Sequence, residues 1–220
     1  MDICDLGVVG YEEALRFQMK VLNKRIKKEI PDTLIVLEHY PVVTLGRLSE
    51  EESIIDRPFF EERGIPVIRT RRGGYLTYHA PGQLVMYPVM DLSEKRRDIA
   101  FFIDFLEKTV MASLNELGVP ATRFRHKRGV WSRGKKIAFI GLALKRWVTF
   151  HGVAININND VTPFSHMHPC GRCDIRVTST RHLTGQELDM TAVKKVFSDR
   201  FIEDMDFEYG GLRIATEEKV

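Results

Sequence analysis

Three short segments of the chain hold residue types that can do chemistry. The most reactive is His166-Met167-His168-Pro169-Cys170-Gly171-Arg172-Cys173-Asp174. Two readings of it compete on residue types alone. Cys170, set between Pro and Gly, suits a sharp, exposed turn near cationic groups, where a nucleophilic thiolate works. His166, His168, Cys170 and Cys173 are also four soft or borderline ligands within eight residues, a set that suits zinc. Small zinc sites usually draw two ligand pairs from separate segments, and no second pair is evident. The nucleophile therefore ranks first and the metal second. A role for Cys170 as a small buried hydrophobe fits poorly with its polar neighbours.

The second segment is Arg133-Gly134-Lys135-Lys136-Ile137-Ala138-Phe139-Ile140-Gly141. Adjacent lysines at a strand start point to opposite faces, so one is solvated and the other faces inward. An ammonium turned into an apolar setting is disfavoured against its neutral amine and becomes usable as a base. Both lysines facing solvent is the commoner arrangement. The third segment runs from Arg71 through Arg72-Gly73-Gly74-Tyr75-Leu76-Thr77-Tyr78-His79 to Ala80-Pro81-Gly82-Gln83. Paired glycines admit close backbone approach, and the arginine beside them offers planar donors to a carbonyl or phosphate. A plain inter-strand loop with an incidental histidine fits the spacing equally. Neither GxGxxG nor GxxxxGKS is present, so this is not a phosphate loop of the usual kind.

Helices and strands must hold these segments in place. The apolar spacing predicts an amphipathic helix over Tyr11–Ile30, with Ala14, Leu15, Gln18, Val21, Leu22, Arg25 and Ile26 in register and Pro31 as its stop. A second helix is expected over Ser93–Leu117, with Ser93 as N-cap, Ile99, Phe102, Ile103, Leu106, Val110 and Leu114 as its stripe, and Gly118 as its C′ residue. A third is expected over Thr191–Met205. Thr33–Leu37 and Leu84–Val89 read as buried strands. Lys136–Leu144 and Val148–Ile157 read as a hairpin joined by Lys145-Arg146-Trp147. Asn158–Ser179 reads as loop. Strands and helices mix without strict alternation, so the expected class is α+β, one domain over 1–220 with a mixed β-sheet flanked by helices.

Composition bounds the function. A chain of 220 residues, 44% of them apolar, can bury a sizeable core. A net charge of +3 with 29% charged residues is too weak a bias for a nucleic-acid protein, yet it allows an acidic protein partner. Three cysteines make no disulfide framework and point to a reducing compartment. The acidic start, Met1-Asp2-Ile3-Cys4-Asp5, lacks signal-peptide features, and no apolar run approaches the roughly 20 residues needed to span a bilayer. A cytoplasmic location away from membranes is expected.

Taken together the segments resemble the lipoyl(octanoyl) transferase family, which shares its fold with lipoate and biotin protein ligases. The matching pieces are Leu37 to Arg47, the Arg-Gly-Gly stretch through Tyr87-Pro88, and Gly129-Val130-Trp131. Lys136-Ile137-Ala138, His151 to Asn156, and Pro169-Cys170-Gly171 with Val177-Thr178-Ser179 follow in order. The resemblance implies a biotin/lipoate protein ligase-like fold and an enzyme that needs neither ATP nor metal nor other cofactor. Such an enzyme takes an octanoyl group from acyl carrier protein and delivers it to a lysine of the lipoyl domains of 2-oxoacid dehydrogenases or of the glycine cleavage H protein.

By the same resemblance Cys170 carries the acyl thioester. Lys136, the lysine directly before Ile-Ala, favours its thiolate and moves protons. The implied substrate-binding residues are Arg72, Gly73, Gly74, Tyr75, Leu76, Thr77, Tyr78 and His79, then Phe139, Ile140 and Gly141, then Gly152, Val153 and Ala154. Backbone N–H groups near Gly74, His79 or Gly171 are candidate oxyanion donors. Two positions depart from the family pattern: Ala80 stands where Gly is usual, and Cys173 is not a usual family residue. An ATP-dependent lipoate ligase of the same fold is the nearest alternative, and a zinc-stabilised binding module the more distant one.

Overall fold

The computed structural model describes residues 1–50, 53–124, 127–169 and 175–210. In chain order these form β1 (Asp2–Val9), α1 (Tyr11–Ile26), β2 (Thr33–His39), β3 (Val42–Leu45), α2 (Arg57–Glu62), β4 (Val67–Arg69), β5 (Thr77–His79) and β6 (Gln83–Val89). There follow α3 (Ile99–Glu116), β7 (Thr122–Phe124), β8 (Lys127–Ser132), β9 (Lys135–Lys145), β10 (Val148–Asn156), α4 (Thr180–Thr184) and α5 (Met190–Gly210). Seven strands make one sheet in the order β1-β2-β6-β10-β9-β8-β7, and β4-β3-β5 make a second. Both are mixed: β1 runs parallel to β2 and β3 parallel to β4, while the other pairs are antiparallel. The α+β class with helices flanking a mixed sheet is as expected.

Alternation along the central strands divides their side chains between two cores. Leu34, Val36, Leu84 and Met86 pack on one face with Phe102, Phe105 and Leu106 of α3 and Phe197 and Phe201 of α5. Ile35, Leu37, Val85 and Val89 pack on the other with Ala14, Val21 and Leu22 of α1. A third cluster, including Leu45, Phe60, Tyr78 and Phe164, sits around the small sheet.

Several expected boundaries move. Helix α1 ends at Ile26, four residues before the expected Ile30. Lys28 is left-handed (φ 62°), and the Lys28 and Glu29 N–H groups donate to the carbonyls of Arg25 and Lys24. These are the two bonds of a Schellman end, and they satisfy carbonyls before Pro31 is reached. Arg25, placed by spacing on the apolar stripe, is buried. It donates to Asp32 at 2.7 Å and also pairs with Glu94, so the stripe ends in an ion cluster rather than in apolar packing. Helix α3 starts at Ile99, not Ser93. Asp98 caps it by accepting from Phe101 N–H at 2.9 Å, while Ser93 lies in a separate single turn of 3-10 helix capped by Asp91. Helix α5 runs one residue earlier and five later than expected. Strand β1, an edge strand that the sequence reading does not include, carries only the short alternation Cys4-Asp5-Leu6-Gly7-Val8, interrupted by a register shift against β2.

Candidate active site

Strand β9 is eleven residues long, and its first residues, Lys135–Ala138, pair with the shorter β8. Beyond that pairing the segment before β5 docks on β9, where Gly73 N–H donates to Leu142 O at 2.8 Å. On the other flank of β9, Gly141 stands opposite Gly152 of β10. A methyl group on Gly141 would lie 2.9 Å from Gly73 O and 3.2 Å from Arg72 Cδ. Glycine there is a requirement of close approach. These elements enclose a cavity of about 690 Å³, inside the range of roughly 300–1,000 Å³ usual for small-molecule sites.

The cavity brings together thirteen of the fourteen residues to which the resemblance assigned substrate contacts. Tyr78 is the exception. It turns into the third core, edge-on to Phe164 at 5.9 Å, and burial pushes its hydroxyl up to about 12. Lys136 also lines the cavity. The two adjacent lysines do face opposite ways: Lys136 is 4% exposed, while Lys135 is half-buried. Lys136 Nζ donates to Arg128 O at 2.9 Å and stands 4.8 Å from the Phe139 ring centre and 5.7 Å from that of Trp131. A carbonyl and two aromatic faces suit an ammonium. Gly129 makes the room. Its φ of 112° is open to glycine, and a Cβ there would meet Lys136 Cε at 2.6 Å.

Cys170 lies outside the described residues, as do Gly171 and Cys173. The chain on either side of that stretch is anchored. His168 N–H donates to Ser53 O at 2.8 Å. On the far side, Lys136 N–H donates to Arg176 O at 2.8 Å and Thr178 N–H donates to Lys136 O at 2.9 Å. Ile175 lines the cavity. His166 stacks on Phe59 with ring centres 3.6 Å apart and holds Asp56 at 2.9 Å through Nδ1, so one ring nitrogen is already used. Among the described residues no group of three or more His, Cys, Asp or Glu is placed to hold a metal.

A buried polar chain supports the cavity wall from behind. Arg72, 8% exposed, donates from Nη2 to Thr44 O at 2.6 Å and to Thr44 Oγ1 at 2.9 Å. His79 Nδ1 donates to Gln83 Oε1 at 2.7 Å, which leaves Nε2 as acceptor for the Thr44 hydroxyl at 3.3 Å. Gln83 Nε2 donates onward to Asn156 Oδ1 at 2.8 Å, and Asn156 Nδ2 to Thr178 O at 2.9 Å. The chain thus runs from the arginine of the glycine-rich segment to the residues that pair with Lys136. His39 is assigned in the same way: Nδ1 donates to Val9 O at 3.1 Å, and Nε2 accepts from Tyr87 at 2.8 Å.

Burial holds these imidazoles neutral. His39 is lowered to about 4 by desolvation, against a weaker opposing bond to Val9. His79 falls well below the usual range, through desolvation first and then the charges of its neighbours. His151, left-handed at φ 56°, is lowered to about 3 by desolvation and the Arg72 charge. Thr44, Asn156 and His151 had no assigned role in the sequence reading, although each falls inside a quoted motif. Ala80 is buried in the third cluster and its methyl group does not reach the cavity.

Residues 10–202 match the lipoyl protein ligase A/B catalytic domain. The chain is 41% identical over 194 residues to an octanoyltransferase of Syntrophotalea carbinolica, covering 88% of this chain and 89% of that one. It is 42% identical over 191 residues to one of Caldicellulosiruptor bescii, covering 86% and 84%. In fold it is similar to a lipoate-protein ligase A solved with ATP (TM-score 0.73, 18% identity, 93% and 85% covered). It is also similar to the biotin protein ligase of Aquifex aeolicus (TM-score 0.61, 16% identity, 94% and 72% covered). With the matched model spanning most of the chain and relatives of this identity, the chain belongs to the lipoyl protein ligase A/B catalytic domain family.

Proposed function

We propose that this chain, acting as one catalytic domain in the cytoplasm, transfers an octanoyl group from acyl carrier protein to a lysine of a lipoyl domain through a thioester on Cys170. Acceptors would be the lipoyl domains of 2-oxoacid dehydrogenases and the glycine cleavage H protein. The curated relatives, at about 40% identity over most of the chain, are octanoyltransferases, and that supports octanoyl transfer as the activity. No helix among the described residues is long and apolar enough to cross a membrane. The observation that carries the mechanistic reading is the buried Lys136 ammonium, set in the cavity wall and bonded through its backbone to the segment that follows Cys170.

The chemistry balances with these two groups. The Cys170 thiolate forms a C–S bond to the carrier thioester carbon, giving a tetrahedral oxyanion. Its collapse breaks the carrier C–S bond, and the departing thiolate takes a proton from Lys136. One thioester replaces another at nearly equal free energy, so no ATP is needed. In the second half-reaction a neutral lysine amine of the acceptor attacks the acyl carbon. Its proton passes to the now neutral Lys136, and the Cys170 thiolate leaves. Amide formation from a thioester runs downhill. At roughly 0.8 kcal/mol per buried CH₂, the acyl tail adds several kcal/mol of binding in the apolar part of the cavity.

Intact-mass measurement after mixing with octanoyl-carrier tests this reading. One octanoyl adduct is expected, absent in Cys170→Ser. Adduct that survives the substitution, or acceptor modification from free octanoate only when ATP is added, would overturn the thioester route in favour of an adenylating ligase.

A further inference from the structure

We infer that Glu107 is a positioning residue for Lys136, acting on it through a single peptide group. The two ends of the Arg128–Gly129 peptide have different partners. Its carbonyl, Arg128 O, accepts from Lys136 Nζ at 2.9 Å, and its N–H, on Gly129, donates to Glu107 Oε1 at 2.8 Å. A carboxylate at the N–H end and an ammonium at the carbonyl end polarise one peptide in the same sense, so each strengthens the other's bond. This inference rests on Lys136 being the proton-moving group proposed above.

Glu107 is 3% exposed, on a helix whose neighbouring stripe is apolar. A buried acid needs compensation. Its second oxygen finds two arginines at a distance, Arg123 at 3.6 Å and Arg128 at 3.9 Å. Those same arginines are drawn outward by Asp104, which Arg128 meets at 2.6 Å and Arg123 at 3.6 Å. The arginines therefore hold the charge of Glu107 in place while Oε1 is left to grip Gly129. Gly129 has no side chain of its own to hold this peptide: at φ 112° a Cβ would meet Lys136 Cε at 2.6 Å, so its orientation depends on the bonds its N–H and the preceding carbonyl make. The grip on its N–H consequently sets where Arg128 O stands. Lys127, whose ammonium shares the Trp131 ring at 5.7 Å, and Arg128 are the other described cations lining this end of the cavity.

Glu107→Gln keeps an oxygen for Gly129 and removes the charge. The rate of adduct formation is expected to fall about tenfold with unchanged KM for the octanoyl-carrier. In a Lys136→Ala background the same substitution is expected to add nothing. Asp104→Asn, which loosens the same arginines without touching Gly129, is the control and should leave the rate within about twofold. Amide NMR gives a readout that does not depend on turnover. The Gly129 N–H resonance is expected to move upfield in Glu107→Gln and also in Lys136→Met, since each removes one end of the polarisation. An unmoved resonance in Lys136→Met, or equal slowing by Glu107→Gln with and without Lys136, would reduce Glu107 to a structural residue. Wild-type protein that forms no adduct would defeat the thioester reading instead, while the two resonance shifts still decide the role of Glu107.

Discussion

Gly141 and Gly152 stand directly opposite each other across β9 and β10, and neither position has room for a methyl group. A Cβ on Gly152 would run into Met86 O and come within 2.8 Å of Pro88 Cδ, whereas one on Gly141 would push on Gly73 and Arg72. The two substitutions should therefore fail differently. Gly152→Ala is expected to lower stability by roughly 1–3 kcal/mol through strain in the central sheet. Gly141→Ala is expected to raise KM with a smaller change in melting temperature, because the glycine-rich segment can lift away. Thermal melting together with steady-state kinetics separates them, and equal behaviour of the two would contradict the geometry.

Lys136→Ala is expected to slow both half-reactions by about a hundredfold or more, while Lys135→Ala stays within about threefold. Gly129→Ala should resemble Lys136→Ala in rate, since the new methyl group occupies the space of Lys136 Cε. Single-turnover acylation followed by mass measures all three. A more damaging Lys135→Ala would reverse the assignment of the two lysines.

Arg72→Lys should not be a mild change. The guanidinium holds both the carbonyl and the hydroxyl of Thr44 in one plane, which an ammonium cannot reproduce. A loss of about 2–4 kcal/mol is expected from the buried partners left unpaired. Urea unfolding gives the value. Thr44→Val, which cuts the same chain at the hydroxyl, should cost less because the backbone carbonyl remains.

Stability should fall in mild acid. His39, His79 and His151 are all depressed in the folded state by burial, His39 from 6.5 to about 4 and His151 to about 3. Between the unfolded and folded values the unfolded chain binds more protons, so stability is full above about pH 7 and declines as pH drops toward 4. For His39 alone the loss is roughly 3 kcal/mol. Urea midpoints at about pH 7.5 and about pH 4.5 measure the slope, and His39→Gln is expected to flatten it. A slope unchanged by that substitution would remove His39 as a source.

Some of this architecture was readable in the residues. The nearly continuous apolar runs Leu34–Leu37 and Leu84–Tyr87 mark strands buried on both faces, and adjacency alone sends Lys135 and Lys136 to opposite sides. The start of α3 was not readable in the same way. Ser93 and Asp98 are both good caps, and the choice falls to Asp98 because Asp91 already engages Ser93 in a separate turn. Glu107 had no place in the sequence reading: an acid on a helix is ordinarily solvated, and only the packing of α3 on β8 buries it against Gly129.

By itself, the order of residues determined which side chains are available for acyl transfer, on which faces of strands they lie, and which family the chain resembles. Tertiary structure decided which of them meet. Arg72, Thr44, His79, Gln83, Asn156 and Thr178 become one hydrogen-bonded chain only after β3, β5, β6 and β10 are brought together from distant parts of the sequence. Glu107 and Lys136 likewise share a peptide only through the packing of α3 on β8. The physical reason is one of range. Periodicity and turn chemistry act over a few residues, whereas a buried polar group must find its partner wherever the fold delivers one.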